Sequence, residues 1–395
     1  MSATANAHGL DGTLVTPDWP ALTRDEVRDV LRDYADLSGP DLSKSVELLS
    51  ISPRPFSAAS VVEVRMRAGK RRVFVKRHAR TVRDAAGLSE EHAFMAHLHE
   101  HGASVPLVLT DRTGATAIET GEWTYEIHEL PSGIDLYEDA VSWTPFFHAA
   151  HAHAAGRALA KLHLASAGFD APARTHRPLV AGFSIFAGQN PHIALQSYLS
   201  ARSKLSAYLH RTSWLSESID LLAPFHVELL PLLPALAPLW THNDLHPSNL
   251  FWSAPGPAAS VTAVIDFGLS DRTTAVHDLA HAVERSVIEW LALVQHPNQP
   301  QRVSFHLDHL FALLDGYESI RPLSAQERAA LAPLIALCHV EFALSEADYF
   351  LTVLHSEDKA RIACESYMLG HARWWRSAGT ALLNKIRAWA EAKSA

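Results

Sequence analysis

The chain has 395 residues, of which 48% are hydrophobic and 19% are charged, and its formal net charge is −9. These values are typical of a globular protein large enough for a two-lobed enzyme or for several domain cores, and they exclude a wholly disordered chain. The negative charge argues against nucleic acid or an anionic membrane surface as the main partner. Two cysteines without a Cys-x-x-Cys spacing predict free thiols in a reducing compartment.

The N-terminus and the apolar runs predict neither a signal peptide nor a membrane span. Residues 1–20 are small and polar, so we expect a flexible N-terminus. The longest apolar run, residues 221–240, contains four prolines, which prevents a single membrane helix. We therefore expect a cytoplasmic protein without a membrane partner. The sequence leaves the oligomeric state open.

Residues 21–130 are predicted to form a small antiparallel α+β lobe. Thr23-Arg-Asp-Glu26 is a capping-box signature, and the apolar spacing after it predicts a helix over 24–36 that ends at Gly39-Pro40. A second helix is expected over Ser89–His101. Alternating residues predict five short strands at 61–66, 72–76, 107–110, 115–119 and 123–128. A turn at Ala68-Gly69-Lys70 is expected to join the first two.

A domain division is expected at Pro131-Ser132-Gly133, after which residues 131–395 are predicted to be mainly helical. The expected helical stretches are 145–164, 191–209, 214–230, 276–294, 301–316, 324–350 and 358–392. Two strand-like runs, 250–252 and 261–265, are expected to form a hairpin. Trp374-Trp375 is expected in the core. The histidines of the first helix are expected to be solvated or partly buried rather than metal ligands, because no carboxylate accompanies them: His148, His151, His153 and His163.

One pair of segments carries the chemistry. Thr241–Trp252 contains His242, Asp244 and Asn249, and the following strand leads to Asp266. A histidine followed by an aspartate two residues on and an asparagine five residues further is typical of a phosphoryl-transfer loop. A second aspartate after the next strand is typical of the metal ligand of such a site. Asp244 would orient the acceptor hydroxyl, Asn249 and Asp266 would offer oxygens to Mg²⁺, and His242 would hold the loop backbone.

These residues resemble the protein-kinase-like small-molecule phosphotransferases, which include aminoglycoside phosphotransferases, choline kinase and type II homoserine kinases. His242–Asn249 matches that family's His-x-Asp-x-x-x-x-Asn loop, and Ile265–Gly268 matches its metal-binding segment. The resemblance implies a two-lobed kinase-like α+β fold with ATP and Mg²⁺ as cofactors. It also implies that Asp278, twelve residues beyond Asp266, braces the catalytic loop.

The resemblance places the nucleotide site in the small lobe. Lys76, at the end of a predicted strand, would contact the α- and β-phosphates. Glu91 would be its ion-pair partner, with Glu90 as the alternative one position earlier. Backbone groups near Glu129 and Leu130 would bond the adenine edge.

The segment that would cover the phosphates departs from the protein-kinase pattern. Residues 51–62 contain no glycine, so backbone amides and hydroxyls would have to take over this role. Ser57 and Ser60 are the candidates within it. No Walker-A pattern occurs in the chain, which excludes a P-loop kinase.

The acceptor is expected to be a small molecule with a hydroxyl group. Asn243 stands where regulated protein kinases carry an arginine that binds a phosphorylated activation loop. The segment from Asp266 to Asp278 is also short for an activation loop. An amino alcohol, amino acid, sugar or aminoglycoside would fit. A Ser/Thr protein kinase of the homoserine-kinase-like branch and a nucleotide-binding pseudokinase are the alternatives.

Four residues are candidates for the acceptor site. Asp271 and Arg272 follow the metal segment directly. Glu341 and Asp348, together with Ser345, fall at helical spacing on one face. They could hold a substrate ammonium, although a solvated acidic helix face is the simpler interpretation of that spacing.

Overall fold

The computed structural model describes residues 17–37, 46–50, 56–66, 69–175, 177–295 and 299–394. Four predicted features lie wholly or partly outside these residues: residues 1–16 of the expected flexible N-terminus, the helix stop at Gly39-Pro40, the start of the turn at Ala68, and residues 51–55 of the glycine-free segment. The chain divides into two compact units, of which the N-terminal unit ends at Ser132 and the C-terminal unit resumes at Gly133.

The N-terminal unit is built on an antiparallel sheet in the order β1-β2-β3-β5-β4. Its strands are β1 (Val46–Leu48), β2 (Ala58–Met66), β3 (Gly69–Ala79), β4 (Ala117–Thr120) and β5 (Trp123–Glu129). Residues 107–110 were predicted as a strand, but they make only one bridge, between Val108 and His128. β1 was not predicted, since three residues are too few to show a period.

The two faces of this sheet differ sharply. Val62, Val73 and Val75 alternate onto one face and pack with helix α1 (Arg24–Leu31) in the core of the unit. The capping box predicted for this helix is present, with the Glu26 N–H 3.3 Å from Thr23 Oγ1. The helix ends five residues earlier than predicted. The opposite face of the sheet carries polar residues, Lys76 and Glu126 among them, as a cross-strand pair.

Helix α2 (Ala85–Glu100) follows β3 and starts four residues before the predicted position. Asp84 caps it, because its side chain accepts the Gly87 N–H at 2.7 Å. The small sheet here and the helices of the second unit confirm the predicted α+β class.

The C-terminal unit is mainly helical. Its helices are α3 (Ala149–Ala165), α4 (Pro191–Ser200), α5 (Ser203–Leu209), α6 (Trp214–Leu229), α7 (Ala275–Val287), α8 (Leu291–Gln295), α9 (Leu307–Glu318), α10 (Ala325–Leu337), α11 (His339–Thr352), α12 (Glu357–Arg361), α13 (Gly370–Trp375) and α14 (Thr380–Ser394), with a π-helix at Ile362–Leu369. Several predicted helices are therefore split, because periodicity does not reveal short breaks such as the one at Cys338. The predicted start at Pro145 was also too early.

Helices α10 and α11 form the apolar centre of this unit. The run Ala325–Thr352 has the length and apolarity of a membrane span, yet 94% of its most apolar window is buried inside the fold. Burial of that kind is typical of a core helix. Trp374 and Trp375 are fully buried, as predicted.

Two small sheets carry the chemical motifs. β6 (Pro238–Thr241) pairs with β9 (Asp271–Thr274), and β7 (Leu250–Trp252) pairs with β8 (Val261–Val264), which confirms the predicted hairpin. The loop after β6 contains His242 to Asn249, and the segment between β8 and β9 contains Asp266. Both segments are thus held at each end by a strand.

Candidate active site

The His242 side chain fixes the conformation of the loop around it. Its ring is fully buried and lies 2.9 Å from the carbonyl oxygen of Ile265, while Nδ1 accepts the Asp244 N–H at 3.1 Å. Since Nδ1 is an acceptor, the proton is on Nε2, which donates to Ile265. Burial lowers the pKa of His242, so the ring is neutral at pH 7. This position suits the predicted role of holding the loop.

Asp278, in the first turn of α7, also binds the backbone of this loop. Its two carboxylate oxygens accept the backbone N–H groups of His242 and Asn243, each at 2.8 Å. Burial alone would raise the pKa of Asp278, but the hydrogen bond from His163 and the interactions with His242 lower it to about 2. The bracing contact predicted for Asp278 is therefore made by an anion.

His163 connects Asp278 to the helical core. Its Nε2 lies 3.0 Å from Asp278 Oδ2, and its Nδ1 lies 2.8 Å from the hydroxyl of Tyr317. Arg321 in turn donates to that hydroxyl at 3.2 Å. His163 was expected only to be solvated or partly buried, but it is buried and holds Asp278 in place.

Two residues of the motif adopt the left-handed backbone conformation that non-glycine residues seldom adopt. Asn243 has φ of 60° and Asp266 has φ of 63°. The Asn243 side chain stabilises its turn, because its Oδ1 accepts from Thr241 at 2.8 Å and from Thr273 at 3.1 Å. Asn243 thus links the loop to β9. It occupies the position at which regulated protein kinases carry an arginine.

Asn249 and Asp244 are in direct contact. Asn249 Nδ2 donates to the Asp244 carbonyl oxygen at 2.9 Å and lies 3.2 Å from Asp244 Oδ2. The Ile265 N–H donates to the Asn249 carbonyl at 3.0 Å, which ties the loop to the segment of Asp266. Because the amide nitrogen of Asn249 is engaged, its oxygen is the atom that can face a cation. One amide oxygen and one carboxylate fit Mg²⁺, which takes few protein oxygens.

Arg285 was not singled out in the sequence, but it forms an ion pair with Asp244. It lies seven residues after Asp278, two turns further along α7, so both residues project from one face of that helix. Arg285 is fully buried, and its guanidinium stands 4.5 Å from the centre of the Phe342 ring. The spacing from Asp278 was the only sequence signal that could have identified it.

The predicted nucleotide lysine lies on the polar face of the N-terminal sheet. Lys76 Nζ is 4.0 Å from Glu126 Oε1, its neighbour on β5. Glu91, on α2, is buried, whereas Glu90 is half-buried. Burial favours Glu91 over Glu90 as the predicted partner, and the Lys76–Glu91 pairing stays a prediction.

The surroundings of the other candidates for nucleotide contacts favour some of them more than others. Ser60 is fully buried, and its hydroxyl donates to the carbonyl oxygen of Ser50, which does not favour a contact with phosphate. Ser57 is buried immediately before β2. The Glu129 N–H donates to Leu107 at 2.8 Å and is therefore engaged, so Leu130 is the better candidate for adenine.

Two acceptor candidates, Asp271 and Glu341, converge beside Gly182. A Cβ atom at Gly182 would lie 2.9 Å from Asp271 Oδ2 and 3.9 Å from Glu341 Oε2. The second oxygen of each carboxylate is held by backbone N–H groups: Asp271 accepts from Arg174 at 2.8 Å, and Glu341 accepts from Ile185. Burial raises the pKa of Glu341, and the nearby charge of Asp271 adds to this effect.

The other two acceptor candidates point elsewhere. Arg272 is partly exposed and lies 3.5 Å from Asp170. Asp348 is buried 3.8 Å from Arg202. The simpler interpretation of this helix, a solvated acidic face, was wrong, because Glu341, Ser345 and Asp348 are all buried in α11.

The fold and the loop geometry define a protein-kinase-like phosphotransferase. Residues 53–323 match the phosphotransferase enzyme family, and the chain belongs to that family. This result confirms the predicted relationship to the small-molecule phosphotransferases.

Curated relatives and solved structures agree with this class. The chain is 30% identical over 251 residues to a homoserine kinase of Rhodopseudomonas palustris (strain TIE-1), and the match spans 62% of each protein. It is 28% identical over 271 residues to a homoserine kinase of Bradyrhizobium diazoefficiens, a match that covers 66% of this chain and 68% of the relative.

Two solved structures share the fold. One is an amicoumacin kinase in complex with AMP-PNP and Ca²⁺, with a TM-score of 0.52, 14% identity and 94% of each chain covered. The other is a choline/ethanolamine kinase family protein from Mesorhizobium loti, with a TM-score of 0.52 and 14% identity, over 92% of this chain and 99% of that one.

Proposed function

We propose that the protein transfers the γ-phosphate of ATP to the hydroxyl of a small molecule that also carries an ammonium group, of the homoserine or amino-alcohol class. The observation that carries the proposal is the contact between Asn249 and Asp244 in a loop that Asp278 braces. A carboxylate fixed in this way can meet an acceptor hydroxyl without first being ordered, which reduces the entropy cost of the reaction.

The chain's own residues would divide the work. Asp244 would accept a hydrogen bond from the acceptor hydroxyl and take up its proton as the new O–P bond forms and the bond from the γ-phosphorus to the bridging oxygen breaks, which releases ADP. Asn249 and Asp266 would hold Mg²⁺, which when bound neutralises charge on the phosphate oxygens. Lys76 would contact the α- and β-phosphates, and Arg285 would keep the Asp244 carboxylate in one orientation.

The convergence of Asp271 and Glu341 supports an ammonium group on the acceptor. Both carboxylates are buried beside Gly182, where a bound cation would relieve their mutual repulsion. Two relatives are named as homoserine kinases, and homoserine carries both a hydroxyl and an ammonium. A choline/ethanolamine kinase family protein shares the fold.

ADP release by the full chain, with Mg²⁺·ATP and matched acceptors, tests the proposal. Homoserine or an amino alcohol should be phosphorylated, and 4-hydroxybutyrate, which keeps the hydroxyl and carboxylate of homoserine but lacks its ammonium, should have a kcat/KM at least about 10-fold lower. 2-Aminobutyrate, which lacks the hydroxyl, should give no ADP release. Equal turnover of homoserine and 4-hydroxybutyrate would refute the ammonium site. Transfer of labelled phosphate from ATP to proteins, but to no small molecule, would favour the protein-kinase alternative.

A further inference from the structure

The polar face of the N-terminal sheet gathers three histidines around one buried carboxylate. His78 Nε2 lies 2.8 Å from Glu126 Oε1, while His92 Nε2 and His128 Nε2 each lie 2.7 Å from Glu126 Oε2. His78, His92 and Glu126 are buried, and the His128 side chain is 14% exposed. All three rings thus direct the same nitrogen at one acidic group.

The register of the sheet explains how these side chains meet. Lys76 pairs with Glu126 and Phe74 with His128, so Glu126, His128 and His78 alternate onto one face. Helix α2 then contributes His92 from across that face. Three separate elements, β3, β5 and α2, therefore supply donors to a single point.

We propose that His92, Glu126 and His128 form a binding site for one divalent transition-metal ion of the zinc type, and that His78 orients the Glu126 carboxylate through its hydrogen bond. Neutral imidazole and carboxylate are the protein ligands that Zn²⁺ favours together, and three of them with one water complete a four-coordinate site. The proposed site is separate from the residues assigned to Mg²⁺, and it does not depend on the proposed function.

The spacing of the donors agrees with such an ion. Ligand atoms of His92, Glu126 and His128 all lie within 4.8 Å of one another. Zn²⁺ with ligands at about 2.0–2.1 Å would place any two of them at most about 4 Å apart, so small side-chain rotations suffice. The His92 and His128 rings approach at an angle of 79°, with centroids 5.8 Å apart, and so converge from different directions. Lys76 Nζ, at 4.0 Å, is further from Glu126 than the imidazoles are.

An ion at this position would tie α2 to strand β5. The alternative is a cluster held by hydrogen bonds alone, in which the imidazoles compensate the buried charge of Glu126. Both arrangements stabilise the unit, but only the first makes stability and metal content depend on the three ligand residues together.

The test uses the full chain after chelator treatment and dialysis, with Zn²⁺ and then Co²⁺ as probes. We expect one equivalent of tightly bound Zn²⁺, a rise in Tm on adding it, and intense visible absorption of Co²⁺ that indicates fewer than six ligands. Glu126→Gln keeps the size of the side chain, and His92→Gln removes a donor from a second element. Each substitution should lower Zn²⁺ affinity at least about 10-fold, as measured by chelator competition.

A second histidine cluster provides the matched control. His306, Asp308 and His309 also lie close enough to share an ion, but His306 and Asp308 are more exposed. His306→Gln should leave the tightly bound equivalent and the Co²⁺ spectrum unchanged. The proposal is overturned if Co²⁺ keeps the spectrum of the hydrated ion, or if Glu126→Gln and His92→Gln lower the Tm equally with and without Zn²⁺. Loss of the tight equivalent in His306→Gln would also overturn it.

Discussion

Asp278 Oδ2 accepts the backbone N–H of His242 at 2.8 Å, so a helix residue holds the backbone of the loop that carries Asp244. Asp278→Asn should reduce kcat at least about 10-fold and destabilise the fold by about 1–3 kcal/mol, because an amide NH₂ would replace one of two acceptors facing backbone N–H groups. Steady-state kinetics and urea unfolding measure both effects. Asp308→Asn, whose parent side chain is 71% exposed, is the matched control and should change neither. Equal behaviour of the two variants would show that the brace does not matter.

Arg285 offers a separate test of how Asp244 is oriented. Arg285→Met should lower kcat roughly 100-fold, since a buried charge partner of the carboxylate is lost. Arg285→Lys keeps the charge but not the planar fork, so its kcat should lie between those of the wild type and the methionine variant. Arg328→Met removes an unrelated ion pair, Arg328–Glu318 at 2.7 Å, and serves as the control for folding. Wild-type kcat in both Arg285 variants would contradict the assigned role.

The contact between α3 and α9 depends on two glycines. A Cβ atom at Gly156 would overlap the carbonyl oxygen of Leu313, and one at Gly316 would overlap that of His153. Gly156→Ala should therefore lower the free energy of unfolding by about 1–3 kcal/mol, because backbone must shift. Gly188→Ala is the control, since nothing lies within 4 Å of a Cβ atom there. Urea unfolding of the two variants should separate them clearly, and equal midpoints would show that the helices adjust freely.

Glu284 should make stability fall as the pH rises. Its Oε1 lies 3.0 Å from His371 Nδ1, but burial raises the pKa of Glu284 to about 8 and lowers that of His371, so the contact joins two neutral groups rather than ions. A carboxyl that binds its proton more tightly in the folded state is stabilising below its unfolded pKa of about 4.5 and loses that contribution as the pH approaches 8.

Comparison of the wild type with Glu284→Gln isolates this effect. The wild type should lose up to a few kcal/mol relative to the variant between about pH 6 and 8. His281 and His339, whose pKa values burial lowers to about 4, titrate alike in both proteins, so their contribution cancels in the difference. Unfolding curves at several pH values measure the difference. A constant difference across that range would mean that Glu284 is ionised throughout.

The motif was easier to identify in the sequence than its surroundings. His242, Asp244, Asn249 and Asp266 were identified by local spacing, which is visible in a sequence, and their roles stay predictions. The paired strands around them were only half predicted, because β6 and β9 are four residues each and lie far apart in the chain. Short strands show little periodicity.

Long-range partners could not be predicted from local spacing, and the bracing by Asp278 was expected only from the family resemblance. His163 meets Asp278 across 115 positions, and Glu126 meets His92 across 34, so nothing in either neighbourhood reveals the pair. Glu341 and Asp348 have the spacing of an exposed acidic face, but α11 is buried on all sides. Their burial depends on the packing of the whole unit, which is not encoded locally.

Phosphoryl transfer by Asp244→Asn tests the central claim most directly. The full chain with Mg²⁺·ATP and its best hydroxylated acceptor is compared with this variant, and ATP binding is measured in parallel. The account predicts that ATP affinity is retained while kcat falls at least about 100-fold, because the amide cannot accept the hydroxyl proton. Asp308→Asn should behave as the wild type. Undiminished turnover by Asp244→Asn would contradict the assignment of Asp244 and with it the proposed mechanism.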